Sequence, residues 1–225
     1  MKEISRVTRP KEKAKATYDR LSRWYDVLVG HMEKGPRDLG LAKLDAHEGE
    51  KVLEIGFGTG YCVLALARSV GEFGKVYGLD ISEGMLSVTA GKLEKAGLSE
   101  RVELQLGDAV DLPYPDGFLD AIFMSFVLEL FDTPEIPLVL QQCLRVLKVG
   151  GRICIVAMSK EKNPGIMERA YEWAHQKFPD YVDCRPIYVR DSVENAGFKI
   201  ADVTRVSLLG LSADIVLAKK LETQC

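Results

Sequence analysis

Three glycines at alternate positions, Gly56, Gly58 and Gly60, stand in the stretch VLEIGFGTGYC (residues 52–62). Residues without side chains let a ligand approach the main chain closely. The short apolar run before them, KVLEIG (51–56), predicts a strand. In a doubly wound sheet, ligands bind beyond the carboxyl ends of the strands, and the turn after the first strand is a usual contact. The spacing therefore favours a ligand-binding loop over a turn with no further role.

Acidic residues recur at the ends of the next predicted strands. Glu54 lies near the end of the first strand, Asp80 ends the second, and Asp108 directly follows the third. A carboxylate at the second strand's tip can accept hydrogen bonds from both hydroxyls of a ribose, and the third can accept from an adenine amino group. Asp80 could instead cap the following helix, although Ser82 already suits that role. The order of loop and acids favours a nucleoside ligand.

Two better-known glycine-rich loops have a different spacing. The dinucleotide fingerprint G-x-G-x-x-G wants a small residue in sixth place, where this chain has Tyr61, and its third glycine comes one position early. A Walker loop would continue with Gly-Lys-Ser/Thr, which does not follow here. The spacing argues against both, and a nicotinamide-dependent oxidoreductase is kept only as a third interpretation.

The elements around these residues alternate between short apolar runs and helical patterns, which predicts an α/β fold. We expect a Rossmann-like, doubly wound, mainly parallel sheet of seven strands. The first five strands are predicted at 51–56, 75–80, 102–107, 119–126 and 152–158. Two final runs, FKIADVTRVSL and SADIVLAKK, are separated by Gly210 and predict a closing antiparallel hairpin. Helices are predicted near 10–29, 60–70, 83–96, 134–148 and 190–196.

Length and composition fit a single domain over residues 1–225. We divide it into an N-terminal helical cap (1–35), a cofactor-binding core (36–158), a substrate-side insertion (159–187) and a C-terminal helix with hairpin (188–225). The net charge of -3 gives no basic surface for nucleic acid. A start without an apolar core, and no apolar run of about 18 residues, predict a cytoplasmic protein. Five cysteines without a CxxC pair and three scattered histidines predict no metal site.

With these residues the chain resembles the class I S-adenosylmethionine-dependent methyltransferases over about residues 15 to 158. Within that class, YDRLSRWYD, DLPYPDG and LRVLKVGGRICIV are similar to the branch of ubiquinone and menaquinone biosynthesis methyltransferases (methyltransferase type 11), which has phospholipid and small-molecule relatives. The resemblance implies an enzyme with S-adenosyl-L-methionine as cofactor and S-adenosyl-L-homocysteine as product.

The resemblance also implies which residues bind the cofactor, and Glu54 joins them because of its place on the strand. In chain order these are Tyr18, Tyr25, Glu54, Gly56, Gly58, Gly60, Asp80, Ile81, Met85, Asp108, Ala109, Ser125 and Phe126. The two tyrosines are expected to close over the site and the glycines to line the methionine part. Asp80 is expected to hold the ribose, the next four residues to surround the adenine, and the last two to border the sulfonium.

The catalytic residues are not indicated as clearly. Many relatives carry a histidine pair where this chain reads VLELF (127–131), so a role for that histidine does not transfer. His175 and Glu129 are weak candidates for a general base, with His31 and Asp183 behind them. A lone histidine on a helix more often packs or faces solvent.

The segment 159–187 supplies the acceptor pocket in the family, and here it is rich in aromatic residues: Tyr171, Trp173, Phe178 and Tyr181. Such walls suit a small apolar or planar acceptor. Aromatic residues on a helical stripe can instead pack on the sheet without lining a pocket. Ring-carbon methylation of a quinone precursor is the first choice. The alternatives are phospholipid N-methylation, methylation of a thiol, arsenite methylation through Cys62 and Cys184, and cofactor binding without turnover.

Basic residues near the amino end allow two interpretations. They are Arg6, Arg9, Lys11, Lys13 and Lys15. A solvated helix face is the simpler interpretation, and peripheral contact with anionic lipid is the other. The sequence does not indicate an oligomeric state.

Overall fold

The computed structural model describes residues 4, 6–7, 9–22, 30–160, 165–177, 184–208 and 210–222. Within them, seven strands form one sheet in the order β3-β2-β1-β4-β5-β7-β6. The strands are β1 (Lys51–Ile55), β2 (Lys75–Asp80), β3 (Val102–Leu106), β4 (Leu119–Ser125), β5 (Leu147–Met158), β6 (Lys199–Leu208) and β7 (Leu211–Lys219). The first five run parallel, and β7 pairs antiparallel with both β5 and β6. The predicted fold class is confirmed.

Seven α-helices flank the sheet in the described residues. They are α1 (Lys11–Leu21), α2 (Gly30–Leu44), α3 (Tyr61–Ser69), α4 (Glu83–Ala96), α5 (Glu135–Val146), α6 (Ile166–Lys177) and α7 (Val189–Asn195). Buried apolar side chains form one core on each face of the sheet. None of the described helices is long and apolar enough to cross a bilayer.

The strand order reverses at β1, which lies between β2 and β4. At such a switch point the connections leave toward opposite faces, so a crevice opens beyond the carboxyl ends of the strands. The glycine loop follows β1 directly and leads into α3. Helix α4 begins after β2, where the Ser82 hydroxyl accepts a hydrogen bond from the Met85 N–H at 3.1 Å. Ser82 is therefore the N-cap of this helix.

Helix α2 differs most from the expectation. The sequence predicts a helix only around 10–29, whereas α2 covers Gly30–Leu44 and runs through the cap boundary placed at residue 35. Pro36 and three glycines lower its helix propensity, so packing on the sheet stabilises it instead. At Gly40 a Cβ atom would come within 2.5 Å of the Val156 side chain, which shows how closely this helix approaches the sheet.

Candidate functional site

A cavity of about 200 Å³ opens at the carboxyl ends of the parallel strands. Part of α1 and the residues before it cover the cavity, and α2 and α6 contribute side chains to its wall. The predicted residues that line it are Tyr18, Glu54, Gly56, Gly58, Asp80, Ile81, Met85, Asp108, Ala109, Ser125 and Phe126. Tyr25 lies outside the described residues, and Gly60 is not on the cavity wall.

The three glycines of the loop have different surroundings, although all have positive φ angles. A Cβ on Gly56 would lie 2.3 Å from the Val127 side chain, and one on Gly60 would lie 2.5 Å from Thr89. A Cβ on Gly58 would meet no protein atom within 4 Å. Gly56 and Gly60 are therefore required by packing, whereas Gly58 presents bare backbone to open space.

Asp80 holds the loop and also lines the cavity. Its carboxylate accepts hydrogen bonds from the N–H groups of Gly58 and Ser82, both at 2.9 Å. Burial raises the pKa of Asp80, while these backbone donors act in the opposite direction. Because Ser82 caps α4, Asp80 is not needed as the side-chain cap. Each of its oxygens has a further lone pair for a ligand.

Glu54 is a second carboxyl group in the cavity wall and is only 2% exposed. Burial raises its pKa well above the usual value, although the Cys62 thiol and the charge of Arg37 act in the opposite direction. Among the described residues its Oε2 atom has no hydrogen-bond partner. A buried acceptor without a partner is unfavourable unless a ligand supplies the donor. Glu54 therefore suits a cationic donor such as an ammonium group.

Asp108 also lines the cavity, and it forms an ion pair that the sequence reasoning did not predict. Lys11 Nζ lies 2.6 Å from Asp108 Oδ2 and 2.5 Å from Glu135 Oε1. Lys15 pairs with Glu83 at 2.7 Å on the neighbouring turn of α1. These lysines had been interpreted as a solvated or lipid-facing set. Both side chains remain about 40% exposed, and their ion pairs also link α1 to the core beside the cavity.

Other contacts fix the same N-terminal segment. Arg6 donates hydrogen bonds from Nε and Nη2 to the Asp132 carboxylate. These bonds lower the pKa of Asp132 to about 2, because their effect is larger than the opposing effect of burial. Asp19 accepts hydrogen bonds from the Ser82 hydroxyl and the Gly84 N–H, at 2.6 and 2.9 Å. The segment therefore covers the cavity with several independent attachments.

The two weak candidates for a general base have different positions. His175, on α6, is 3% exposed and lines the cavity. Glu129 is fully buried, lies off the cavity wall, and accepts a hydrogen bond from the Met158 N–H at 2.9 Å. Burial raises its pKa to about 8. The structure therefore favours His175 as the group that can reach a ligand. The His31 side chain and Asp183 lie outside what is described.

Arg185 is a buried residue that the sequence reasoning missed. Its guanidinium donates to the carbonyls of Glu129 and Phe131 and to the Thr133 hydroxyl. Burial lowers its pKa to about 10. These bonds tie the segment after β5 to the loop after β4. Phe131 of that loop lines the cavity, so Arg185 positions part of its wall.

The aromatic residues expected in the acceptor pocket are not on the cavity wall in the described part of the chain. Trp173 is 57% exposed, Tyr171 is partly buried, and neither lines the cavity. Phe178 and Tyr181 lie outside the described residues. The aromatic side chains on the wall are Tyr18, Phe57, Tyr61, Phe126 and Phe131. Most of this apolar surface comes from the core loops, which the sequence reasoning had not used for the acceptor.

The model of the ubiE/COQ5 methyltransferase family matches residues 6–182. The chain belongs to this family. It is 35% identical over 159 residues to a demethylmenaquinone methyltransferase of Symbiobacterium thermophilum, a match that covers 67% of this chain and 62% of that protein. A protein of the same name from Lactobacillus johnsonii is 29% identical over 84% of each chain. A 2-phytyl-1,4-naphtoquinone methyltransferase of Synechococcus elongatus is 38% identical over 53% of this chain and 50% of its own.

Solved structures agree with the family. The crystal structure of an S-adenosylmethionine-dependent methyltransferase from Aquifex aeolicus has 26% identity and a TM-score of 0.67, with 90% of this chain and 98% of that chain covered. A putative methyltransferase in complex with the Haloferax volcanii Trm112 activator has a TM-score of 0.75 at 18% identity, over 91% of this chain and 98% of its own, which supports the fold alone. The predicted family is thus confirmed, and S-adenosyl-L-methionine is confirmed as the cofactor of that family.

The residues of this family member fit S-adenosyl-L-methionine on structural grounds. Gly58 leaves space that any larger residue would fill, and Glu54 offers a buried acceptor without a partner among the described residues. Asp80 and Asp108 follow on the next two strands. Phe126, which borders the same cavity, has a φ of 55°. A bulky residue in that region is strained, and such strain is concentrated at ligand sites.

Proposed function

We propose that this protein transfers a methyl group from S-adenosyl-L-methionine to a small apolar acceptor. The observation that carries the proposal is one cavity that joins the open backbone at Gly58 to the carboxylates of Asp80 and Asp108. When bound, S-adenosyl-L-methionine supplies an activated methyl group, so the protein needs no nucleophile of its own. Its task is to align the acceptor and exclude water.

The residues divide this task between them. Glu54 and the backbone at Gly58 would hold the methionine part, Asp80 the ribose, and Asp108 the edge of the adenine. Ser125 and Phe126 would border the reacting centre. The attached N-terminal segment would exclude water from the cavity. His175, which reaches the cavity from α6, would take the acceptor's hydroxyl proton at a ring nitrogen.

We infer that the acceptor is the reduced form of a quinone precursor, methylated at a ring carbon. Two of the relatives named above are demethylmenaquinone methyltransferases, and a third acts on a phytylnaphthoquinone by name. A flat apolar ring suits this cavity, because Phe57, Phe126 and Phe131 all line its wall. Deprotonation of a hydroxyl group on the reduced ring activates a neighbouring ring carbon to attack the methyl group, which leaves the sulfonium. That carbon then loses its own proton, which restores the aromatic hydroquinone.

Arsenite methylation through cysteine ligands is less well supported. Cys62 lines the cavity, but burial raises the pKa of its thiol well above the usual value, and the neighbouring Glu54 raises it further. A thiol with a raised pKa is a poor soft-atom ligand, since the thiolate is the binding form. Cys184 is partly exposed and is not on the cavity wall.

The test is incubation with methyl-labelled S-adenosyl-L-methionine and a 2-prenyl-1,4-naphthohydroquinone. We expect label in the extracted lipid, equimolar S-adenosyl-L-homocysteine, and no labelled product from the oxidised quinone. His175→Gln should lower kcat about 100-fold or more without weakening cofactor binding. Label in phospholipid or thiol acceptors, but not in the hydroquinone, would overturn the quinone assignment. Cofactor binding without any slow formation of S-adenosyl-L-homocysteine would indicate a non-catalytic protein.

A further inference from the structure

Arg37 is a charged residue of the cavity wall that none of the sequence patterns indicated. It lies on α2, the helix that the sequence analysis missed, and it lines the cavity together with Glu54 and Tyr61. Its guanidinium carbon lies 3.8 Å from the centroid of the Tyr61 ring, which places it over the face of that ring. Stacking of this kind holds an arginine while leaving its donors at the edge of the plane.

The ring beneath Arg37 is held in turn. The Tyr61 hydroxyl donates to Asp38 Oδ1 at 2.7 Å, and Lys34 Nζ lies 2.5 Å from Asp38 Oδ2. Tyr61 is also the first residue of α3, directly after the glycine loop. Arg37 is therefore fixed at the end of the cavity that the loop forms. Asp108, which also lines the cavity, is instead paired with Lys11.

Glu54 gives this end of the cavity a second charge centre. Its buried Oε2 has no partner among the described residues, and the positive charge of Arg37 lowers the pKa of this carboxyl group against the effect of burial. A group that can be anionic and a permanent cation thus share the wall beside bare backbone. A ligand that places an ammonium group beside Glu54 and a carboxylate beside Arg37 would complement both charges, and an α-amino acid has that arrangement.

We infer that Arg37 binds the α-carboxylate of the cofactor's amino-acid part and thereby selects against decarboxylated S-adenosylmethionine. The inference rests on the proposed function, since it names how the same cavity recognises its cofactor. Arginine suits the role because its planar fork can donate two parallel hydrogen bonds to a carboxylate. Glu54 would accept from the ammonium group, which both forms of the cofactor carry. Of these two residues, Arg37 is therefore the one that would discriminate between the two compounds.

The experiment is calorimetric titration of the native protein and of Arg37→Gln with S-adenosyl-L-methionine and with its decarboxylated analogue. We expect the substitution to weaken binding of the intact cofactor by about 10- to 100-fold, because charge-assisted hydrogen bonds are lost. Binding of the analogue should change less than about threefold. The preference of the native protein for the intact cofactor should largely disappear in the variant.

Two further variants keep the test decisive. Arg190→Gln makes the same change at a residue whose side chain is exposed and paired with Glu194, and it should alter neither affinity. Arg37→Lys keeps the charge but not the fork, so it should lose part of the selectivity. If Arg37→Gln does not fold, the lysine variant carries the test, and unchanged selectivity in it would overturn the inference.

The possible results separate the inference from the proposed function. An equal loss of affinity for both compounds would mean that Arg37 is only a counter-ion for Glu54. Unchanged affinity for both would mean that Arg37 does not touch the ligand. Both results overturn the inference and leave the methyltransferase proposal intact. If the native protein binds neither compound, the proposed function itself fails.

Discussion

Gly58→Ala is the substitution that tests the central part of the site most directly. Gly58 has a φ of 50° and lines the cavity, and a Cβ there would meet no protein atom within 4 Å. Gly97 is its matched control. It has a φ of 65° at the end of α4, also with nothing within 4 Å of a Cβ, and it is not on the cavity wall.

The magnitudes follow from this geometry. A left-handed backbone conformation costs a residue with a Cβ about 1–2 kcal/mol, and the reduced freedom of the unfolded chain offsets about half of that. Each alanine variant should therefore lose about 1 kcal/mol of stability, or about 2–4 °C in Tm for a chain of this size. A methyl group inserted against a bound ligand costs a further ~1–3 kcal/mol. Only Gly58→Ala should bear that second cost, as a roughly 5- to 150-fold weaker cofactor affinity.

The assay is thermal unfolding of both variants, followed by titration with S-adenosyl-L-homocysteine. We expect similar shifts in Tm and a loss of affinity in Gly58→Ala alone. Equal affinities in the two variants would refute the reasoning, because Gly58 would then not face the ligand. A much larger loss of stability in Gly58→Ala would also refute it, because the space at its Cβ would then not be open.

Two further predictions test the buried carboxyl groups. Asp80→Asn should lower stability by about 2 kcal/mol and weaken S-adenosyl-L-homocysteine about 10- to 100-fold, because an amide can accept from only one of the two backbone N–H groups while its own NH₂ opposes the other. Denaturant unfolding and calorimetry would check this, with the surface variant Asp116→Asn as control, and unchanged affinity would limit Asp80 to a structural role. Glu129→Gln should become more stable relative to the native protein as pH rises from about 4.5 toward 8. Burial raises the pKa of Glu129 from 4.5 to about 8, so the folded protein keeps a proton that the unfolded chain releases, at a cost on the order of 3 kcal/mol by pH 7. Urea unfolding at pH 5 and pH 7.5 would test this, and the same stability difference at both values would contradict it.

The sheet could be predicted because each strand has its own local signal. The parallel strands are short apolar runs, of which the first three end in glycine or an acidic residue, and the hairpin contains Gly210 between two alternating runs. The helix Gly30–Leu44 has no such signal, since Gly35, Pro36 and Gly40 all disfavour it in isolation. It forms because the close approach at Gly40 buries one of its faces on the sheet.

The site residues also fall into a group that could be predicted from the sequence and a group that could not. Residues at the ends of successive strands must lie together once the sheet is parallel, so Glu54, Asp80 and Asp108 could be placed from the sequence. Arg37 and His175 reach the cavity only through the packing of α2 and α6. No spacing in the chain relates either residue to the glycine loop. The part of the site that includes Arg37 and His175 therefore depends on tertiary contacts.

The glycine loop shows why a pattern can be informative although its simplest interpretation is incomplete. Three alternate glycines suggest three backbone contacts with a ligand. In the structure, Val127 crowds the first position and Thr89 the third, and only the second faces open space. The Thr89 hydroxyl also donates to the Gly58 carbonyl at 2.8 Å, so the packing that requires Gly60 helps to fix the backbone at Gly58. Two glycines thus let neighbouring side chains hold the third in place. Substitutions at Gly56 or Gly60 should act on the shape of the loop, and only a substitution at Gly58 should act on the ligand directly.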